Sequence, residues 1–213
     1  MSDPRTRSAA CNLICVVAAI LLSALAAHAG EAKWSPLWDA LAKRPDAKVI
    51  DGVNDKGEAT RRIELASGVS FSLEHHGDRI SSVGTDTSGR GAVQCSWEIY
   101  VGVRAYTEAC FPGEDRSFEA DLDDAIDRMN DFIVENSLVP VTKAQLQDAV
   151  GLRKRQAIES VSGPSEDDRR KRCEANAVGP MASAFRSTSH DKRVSTLNTL
   201  LSAKRPPVMN PCL

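Results

Sequence analysis

Cys95-Ser-Trp-Glu-Ile-Tyr-Val-Gly-Val-Arg-Ala-Tyr-Thr-Glu-Ala-Cys110 is the stretch whose reading decides the fold. Two periodicities compete inside it. Alternation places Cys95, Trp97, Ile99, Val101 and Val103 on one face of a strand, whereas helical spacing aligns Cys95, Ile99, Val103, Tyr106 and Cys110 along one stripe. Length favours the helix, because strands usually run only about five or six residues. The β-branched and aromatic content favours a strand or a sharply bent hairpin. Phe111-Pro112-Gly113 ends the stretch on either reading.

The choice sets the cysteine pairing. A helix over 95–110 holds its ends about 22 Å apart at ~1.5 Å per residue, which forbids a Cys95–Cys110 bond. In an up-down bundle Cys110 then meets Cys173, and Cys95 is left for Cys212. A bent hairpin would instead allow Cys95–Cys110. These four cysteines, an even set without a Cys-x-x-Cys pair, predict two disulfides in an oxidising compartment rather than a zinc centre.

Export is expected from the N-terminus. Arg5 and Arg7 precede an apolar run from Leu13 to Ala27, which is short for a bilayer span, and Ala27-His28-Ala29 supplies a cleavage site. Residues 1–29 are therefore predicted to be a signal peptide, which removes Cys11 and Cys15. Its loss takes away one acid and two bases, moving the net charge from −2 to −3. That balance favours neither nucleic acid nor anionic lipid, and no later segment is apolar enough to span a membrane.

The mature chain divides by pattern. Residues 30–91 predict a short helix and a β-meander. Ser35 caps that helix with Pro36 at its first position, and Trp34 and Trp38 form a lid. Asp51-Gly52, Asn54 to Gly57, Ser67-Gly68 and His76-Gly77-Asp78 mark turns between alternating apolar residues such as Val69, Phe71 and Leu73. Three or four antiparallel strands follow, with one face to be covered by later helices.

Residues 92–213 predict a disulfide-stapled bundle of four to five helices, packed with 30–91 as one domain. Ser117 is read as the cap of a helix reaching about Asn136, striped by Phe118, Leu122, Ile126, Met129 and Ile133. Thr142 and Gln145 form a capping box, Ser165 and Ser189 open later helices, and Gly179-Pro180 interrupts. The proline-rich tail is an extended strap anchored by Cys212. The fold class is thus α+β.

Charge is uneven. From Glu114 to Asp131 eight acids accompany two bases, while from Arg153 to Arg205 twelve bases accompany six acids. One reading lays the acidic helix against the basic ones; the other makes Asp121, Asp123, Asp124 and Asp127 a surface for a charged partner.

Catalytic motifs fail individually. His75 and His76 are adjacent, so on a strand they face opposite ways, and with Asp78 they fit a surface turn. Ser189-x-x-Lys192 has the spacing of penicillin-recognising enzymes but lacks the companion Lys-Thr-Gly, and Ser189 serves better as a cap. Gly84 to Gly91 ends in Arg90-Gly91 where a phosphate loop needs Lys-Ser/Thr. Asp121 to Asp124 lacks the glycine and terminal glutamate of a calcium loop. No catalytic residue, metal ligand or cofactor is predicted, and the expected role is non-enzymatic protein binding. The alternatives are a structural or stress-related envelope protein, and a hydrolase using His75 or His190.

Cys95, Tyr100, Gly102-Val103, Cys110 and Pro112, followed by a helix ending in Phe132-Ile133-x-x-Asn136, resemble the core of the periplasmic amidase-immunity (Tai) proteins of type VI secretion systems. Pro211-Cys212 resembles the end of many members. The resemblance covers about forty residues and implies binding to another envelope protein, such as a cell-wall hydrolase. The β-rich region before Gly91 and the long stretch from Asn136 to Cys212 depart from the family, and no inhibitory residue carries over.

Overall fold

The computed structural model describes residues 33–212, so the predicted signal peptide lies outside the described residues. Helix α1 (Pro36–Ala42) precedes four strands, β1 (Ala47–Val53), β2 (Ala59–Leu65), β3 (Val69–His76) and β4 (Arg79–Asp86). Six helices follow: α2 (Val93–Cys110), α3 (Arg116–Asn136), α4 (Lys143–Val161), α5 (Glu166–Glu174), α6 (Gly179–Ser187) and α7 (His190–Leu200). The fold is α+β, a four-stranded antiparallel sheet in sequential order β1-β2-β3-β4 followed by a helical bundle.

The strands arise from tight turns between alternating residues. Gly57, Gly68 and Gly77 take positive φ at the three hairpin turns, a backbone region that glycine enters without steric cost. Asp51-Gly52 is not a turn: Asp51 pairs with Arg61 and Gly52 with Thr60 inside β1. The tighter signal at Asn54–Gly57 wins, because the Asn54 side chain accepts from the backbone N–H of Lys56 and Glu58 and closes the loop there.

Residues 95–110 lie within one continuous helix. Helix α2 buries twelve of its eighteen residues and packs against α3, α4, α5 and α6. Being surrounded, it is apolar on nearly every side, which explains why its sequence shows no single clean stripe. Its far end is tied to α5 by Cys110–Cys173, with Cα atoms 5.8 Å apart, and its beginning to the tail by Cys95–Cys212 at 5.4 Å. A continuous helix rules out Cys95–Cys110, and these are the pairs expected of an up-down bundle.

Capping differs from expectation in one place. Asp115, not Ser117, caps α3: its carboxylate accepts from the Phe118 N–H at 3.1 Å, and the Ser117 hydroxyl donates to the same oxygen at 3.0 Å. A carboxylate at the N-terminus adds charge–dipole attraction that a hydroxyl lacks. The Thr142–Gln145 capping box of α4 forms as read from the sequence. The bundle has six helices rather than four to five, because Gly179-Pro180 starts α6; proline is tolerated in a first turn whose N–H groups have no intrahelical acceptor.

Two buried cores result. One joins Trp97, Val101 and Val103 of α2 to Phe118, Leu122, Met129 and Ile133 of α3 and to Leu197 and Leu200 of α7. The other lies on the inner sheet face, where Ile63, Leu65, Phe71 and Leu73 meet Trp34, Leu41 and Val208. The sheet is covered by α1, the strap and the first turns of α2, rather than by the later helices. The strap reaches it because residue 84 is glycine: a Cβ there would stand 2.5 Å from Val208 Cγ1. Asp86 N–H donates to Asn210 O at 2.7 Å, and Gln94 N–H to Val208 O at 3.2 Å.

Beneath the strap lies a buried ion pair. Arg205 Nε donates to Asp86 Oδ2 at 2.5 Å, and the two side chains are 0% and 1% exposed. The guanidinium also donates to Gly91 O at 2.8 Å and Ala203 O at 3.0 Å, while Ser88 N–H donates to Asp86 Oδ1 at 2.8 Å. Burial alone would raise the Asp86 pKa, but Ser88 and Arg205 outweigh it and hold the carboxyl below its ordinary value.

Candidate functional site

The four aspartates singled out in the sequence do not share one face. Asp121 turns toward α7, where its carboxylate pairs with Arg193 and accepts from His190 Nδ1 at 3.0 Å. Burial alone would raise its pKa, yet these two partners together lower it. Asp123 lies against α2 and α4, 2.9 Å from Arg104 Nε and 3.8 Å from Lys154 Nζ. Arg104 also meets Glu108 at 3.0 Å and Glu119 at 3.5 Å, so three carboxylates surround one buried guanidinium. Much of the acidity of α3 is therefore consumed within the molecule.

Asp124 and Asp127 point outward. With Asp131 and Glu135 they follow the i, i+3, i+7, i+11 spacing of a single helical stripe. Lys143 serves both Asp127 and Asp131, at 2.9 and 2.7 Å, and its pKa is raised by Asp131 and then by Asp127. Arg128 is 4.0 Å from Asp124, whose side chain is 70% exposed. Glu135 has no base within 4.0 Å among the described residues. Four carboxylates thus share two bases, and Val134 in the last turn of α3 and Val139 in the loop after it are exposed.

The histidines are separated. His75 stacks on Trp34 with ring centroids 4.6 Å apart, and its Nε2 is buried without a hydrogen-bond partner. His76, on the opposite sheet face, sits near Glu58 and Glu74. His190 lines a hollow of about 30 Å³ with Asp121 and Arg193, space for about one water molecule. Ser189 is occupied in capping α7 through the Lys192 N–H. Among the described residues no group of three His, Cys, Asp or Glu side chains is placed to hold a metal ion.

A larger concavity of about 540 Å³ opens between the start of α2, α6 and α7. Ile99, Tyr100, Met181, Phe185, Leu197 and Leu200 line its interior, and Tyr100 and Phe185 meet edge-on with centroids 5.0 Å apart. Burial raises the Tyr100 phenol pKa, against the pull of Arg193. Arg90, Lys192 and Arg193 are its charged members, and Pro211 of the disulfide-anchored tail closes one side. Sequence reading missed this cleft because its walls come from three chain segments, none of which carries a local motif.

No family model, curated protein or solved structure matches the chain. No helix among the described residues is long and apolar enough to cross a membrane.

Proposed function

We propose that this protein is an exported, non-enzymatic protein-binding module, of inhibitor or immunity type, whose partner is another protein of the cell envelope. The observation that carries this reading is the outer ridge of α3, where Asp124, Asp127, Asp131 and Glu135 outnumber their bases and Val134 and Val139 supply exposed apolar contact. The ridge stands on a rigid support, since the buried face of α3 is locked to α2 by Leu122, Met129 and the Trp97–Asn130 hydrogen bond of 2.7 Å. A rigid and incompletely neutralised surface suits a basic partner, with charge steering the encounter and the valines contributing burial. Two formed disulfides accord with an oxidising compartment. A cell-wall hydrolase with a basic rim fits both the Tai resemblance and the sign of the ridge.

The test uses the mature chain immobilised in its oxidised form and incubated with envelope extract. A retained protein should elute as salt rises, because exposed charge pairs are screened over about 8 Å at physiological ionic strength. The variant Asp124→Lys/Asp127→Lys should lose it. Retention that survives this charge reversal, or an extract that yields no retained protein, would overturn the reading.

A further inference from the structure

We propose that the 540 Å³ cleft between α2, α6 and α7 is a binding site for a single-chain amphiphile bearing one carboxylate. This site is separate from the α3 ridge, and the inference does not depend on the protein-binding role. The volume lies within the ~300–1,000 Å³ range of small-molecule sites. Its interior is aliphatic and aromatic, and Met181, which stands 39% exposed at the cleft, has the unbranched, polarisable side chain that adapts to a flexible chain.

The charge around the cleft selects the head group. Among the described residues three bases line it, and no Asp or Glu side chain does. Arg193 is already committed to Asp121. Lys192 has no carboxylate within 4.0 Å among the described residues, and Arg90 is held only through Nε, which donates to Ser202 Oγ at 3.0 Å. Asp191, the nearest acid in sequence, lines a different surface hollow with Val194 and Ser195. Among the described residues, two cations beside an apolar cleft are therefore without a carboxylate partner.

A further positive end lies in the wall. The first turn of α2 contributes Ala92, Cys95 and Ser96; its N-cap, Ala92, provides no side-chain acceptor, and of the first N–H groups Gln94 is already taken by Val208 O. An anion at this rim would meet the partial positive charge of an eighteen-residue helix as well as the two free side chains. A neutral head group would accept only weaker hydrogen bonds here, and a cationic one would be repelled. The Cys95–Cys212 bond and Pro211 fix the wall opposite α7, so the cleft is pre-formed rather than opened by the ligand.

The experiment is calorimetric titration of the oxidised mature chain with a matched series below micelle concentration: dodecanoate, dodecanol, dodecyltrimethylammonium and dodecyl phosphate. Dodecanoate is expected to bind saturably at one site. Arg90→Glu/Lys192→Glu should weaken it about tenfold or more, the worth of a charge-assisted hydrogen bond, while leaving dodecanol binding unchanged. Thr196→Trp, which places a bulky ring in the lining, should abolish binding of every chain while circular dichroism shows the fold intact. Three results would each overturn the assignment: dodecanol matching dodecanoate, charge reversal without effect, or binding of dodecyl phosphate alone. Absence of saturable binding would do the same. None of these outcomes alters the expectation for Asp124→Lys/Asp127→Lys, so the two proposals fail independently.

Discussion

The sheet half and the helical half are held closed in different ways. The bundle closes on itself: α2 is wrapped by its neighbours, packing most closely against α4 and α3, and Cys110–Cys173 ties elements already in contact. The sheet is covered on its inner face from both ends of the chain. Its hairpins form locally, but the cover comes from α1, from the first turns of α2 and from residues 205–210, the last more than a hundred positions later. A local motif can be assembled early and cheaply, whereas a distant strap must first overcome loop-closure entropy. One half is thus secured by packing, and the other depends on a few specific long-range polar and covalent links.

The largest test of that difference is Arg205→Ala. It leaves Asp86 charged, buried and without its guanidinium partner, and should cost about 3–5 kcal/mol in denaturant unfolding. Arg205→Met/Asp86→Leu should recover most of the loss, because an apolar pair of similar volume removes the uncompensated charge. Acid titration reads the same link. The folded-state pKa of Asp86 lies below the ordinary 3.8, so its stabilising contribution is fully present above that value. The contribution is lost as pH falls through the lower folded-state value. The apolar double variant should therefore show a shallower loss of stability below about pH 4.

Disulfide removal comes next. Cys95→Ala/Cys212→Ala and Cys110→Ala/Cys173→Ala should each cost roughly 2–5 kcal/mol. The first opens a loop of 117 residues and the second one of 63, which by chain entropy favours the longer link by about 0.5 kcal/mol. Hydrogen exchange separates their effects more sharply: loss of Cys95–Cys212 should expose β4 amides first, while the α2–α3 amides stay protected. Equal loss of protection across both halves would mean that they unfold as one unit.

Within the bundle, Asn130→Ala should destabilise by about 1–3 kcal/mol, since it strands the buried Trp97 indole N–H. The smallest contrast lies at the start of α3. Asp115→Ala should cost about 1 kcal/mol as a lost N-cap. Ser117→Ala should cost within about 0.5 kcal/mol, as an exposed surface change.

Local signals carried a good part of this architecture. Hairpin turns at Asn54–Gly57 and Ser67-Gly68 were legible because glycine and asparagine impose their own backbone geometry. The α3 stripe and the Thr142–Gln145 box were legible because each lies within one or a few turns of chain. Asp51-Gly52 misled, since a two-residue turn signal is weak against seven paired residues of β1 and β2. Ser117 misled as a cap because a better acceptor stood two residues earlier. The acidic aspartates were legible as a charge cluster, but not that Asp121 and Asp123 would be spent on Arg193 and Arg104.

By itself the sequence determined the order of elements, the α+β class and, through the length of a continuous helix, which cysteines could not meet. Those properties depend on neighbours along the chain, where dihedral preference, periodicity and reach act directly. Only the tertiary structure decided that Arg205 would find Asp86 and that the strap would lie on Gly84. It alone brought Arg90, Tyr100 and Lys192 to one cleft. These depend on residues brought together across the whole chain, and no local preference encodes which distant side chain will be waiting.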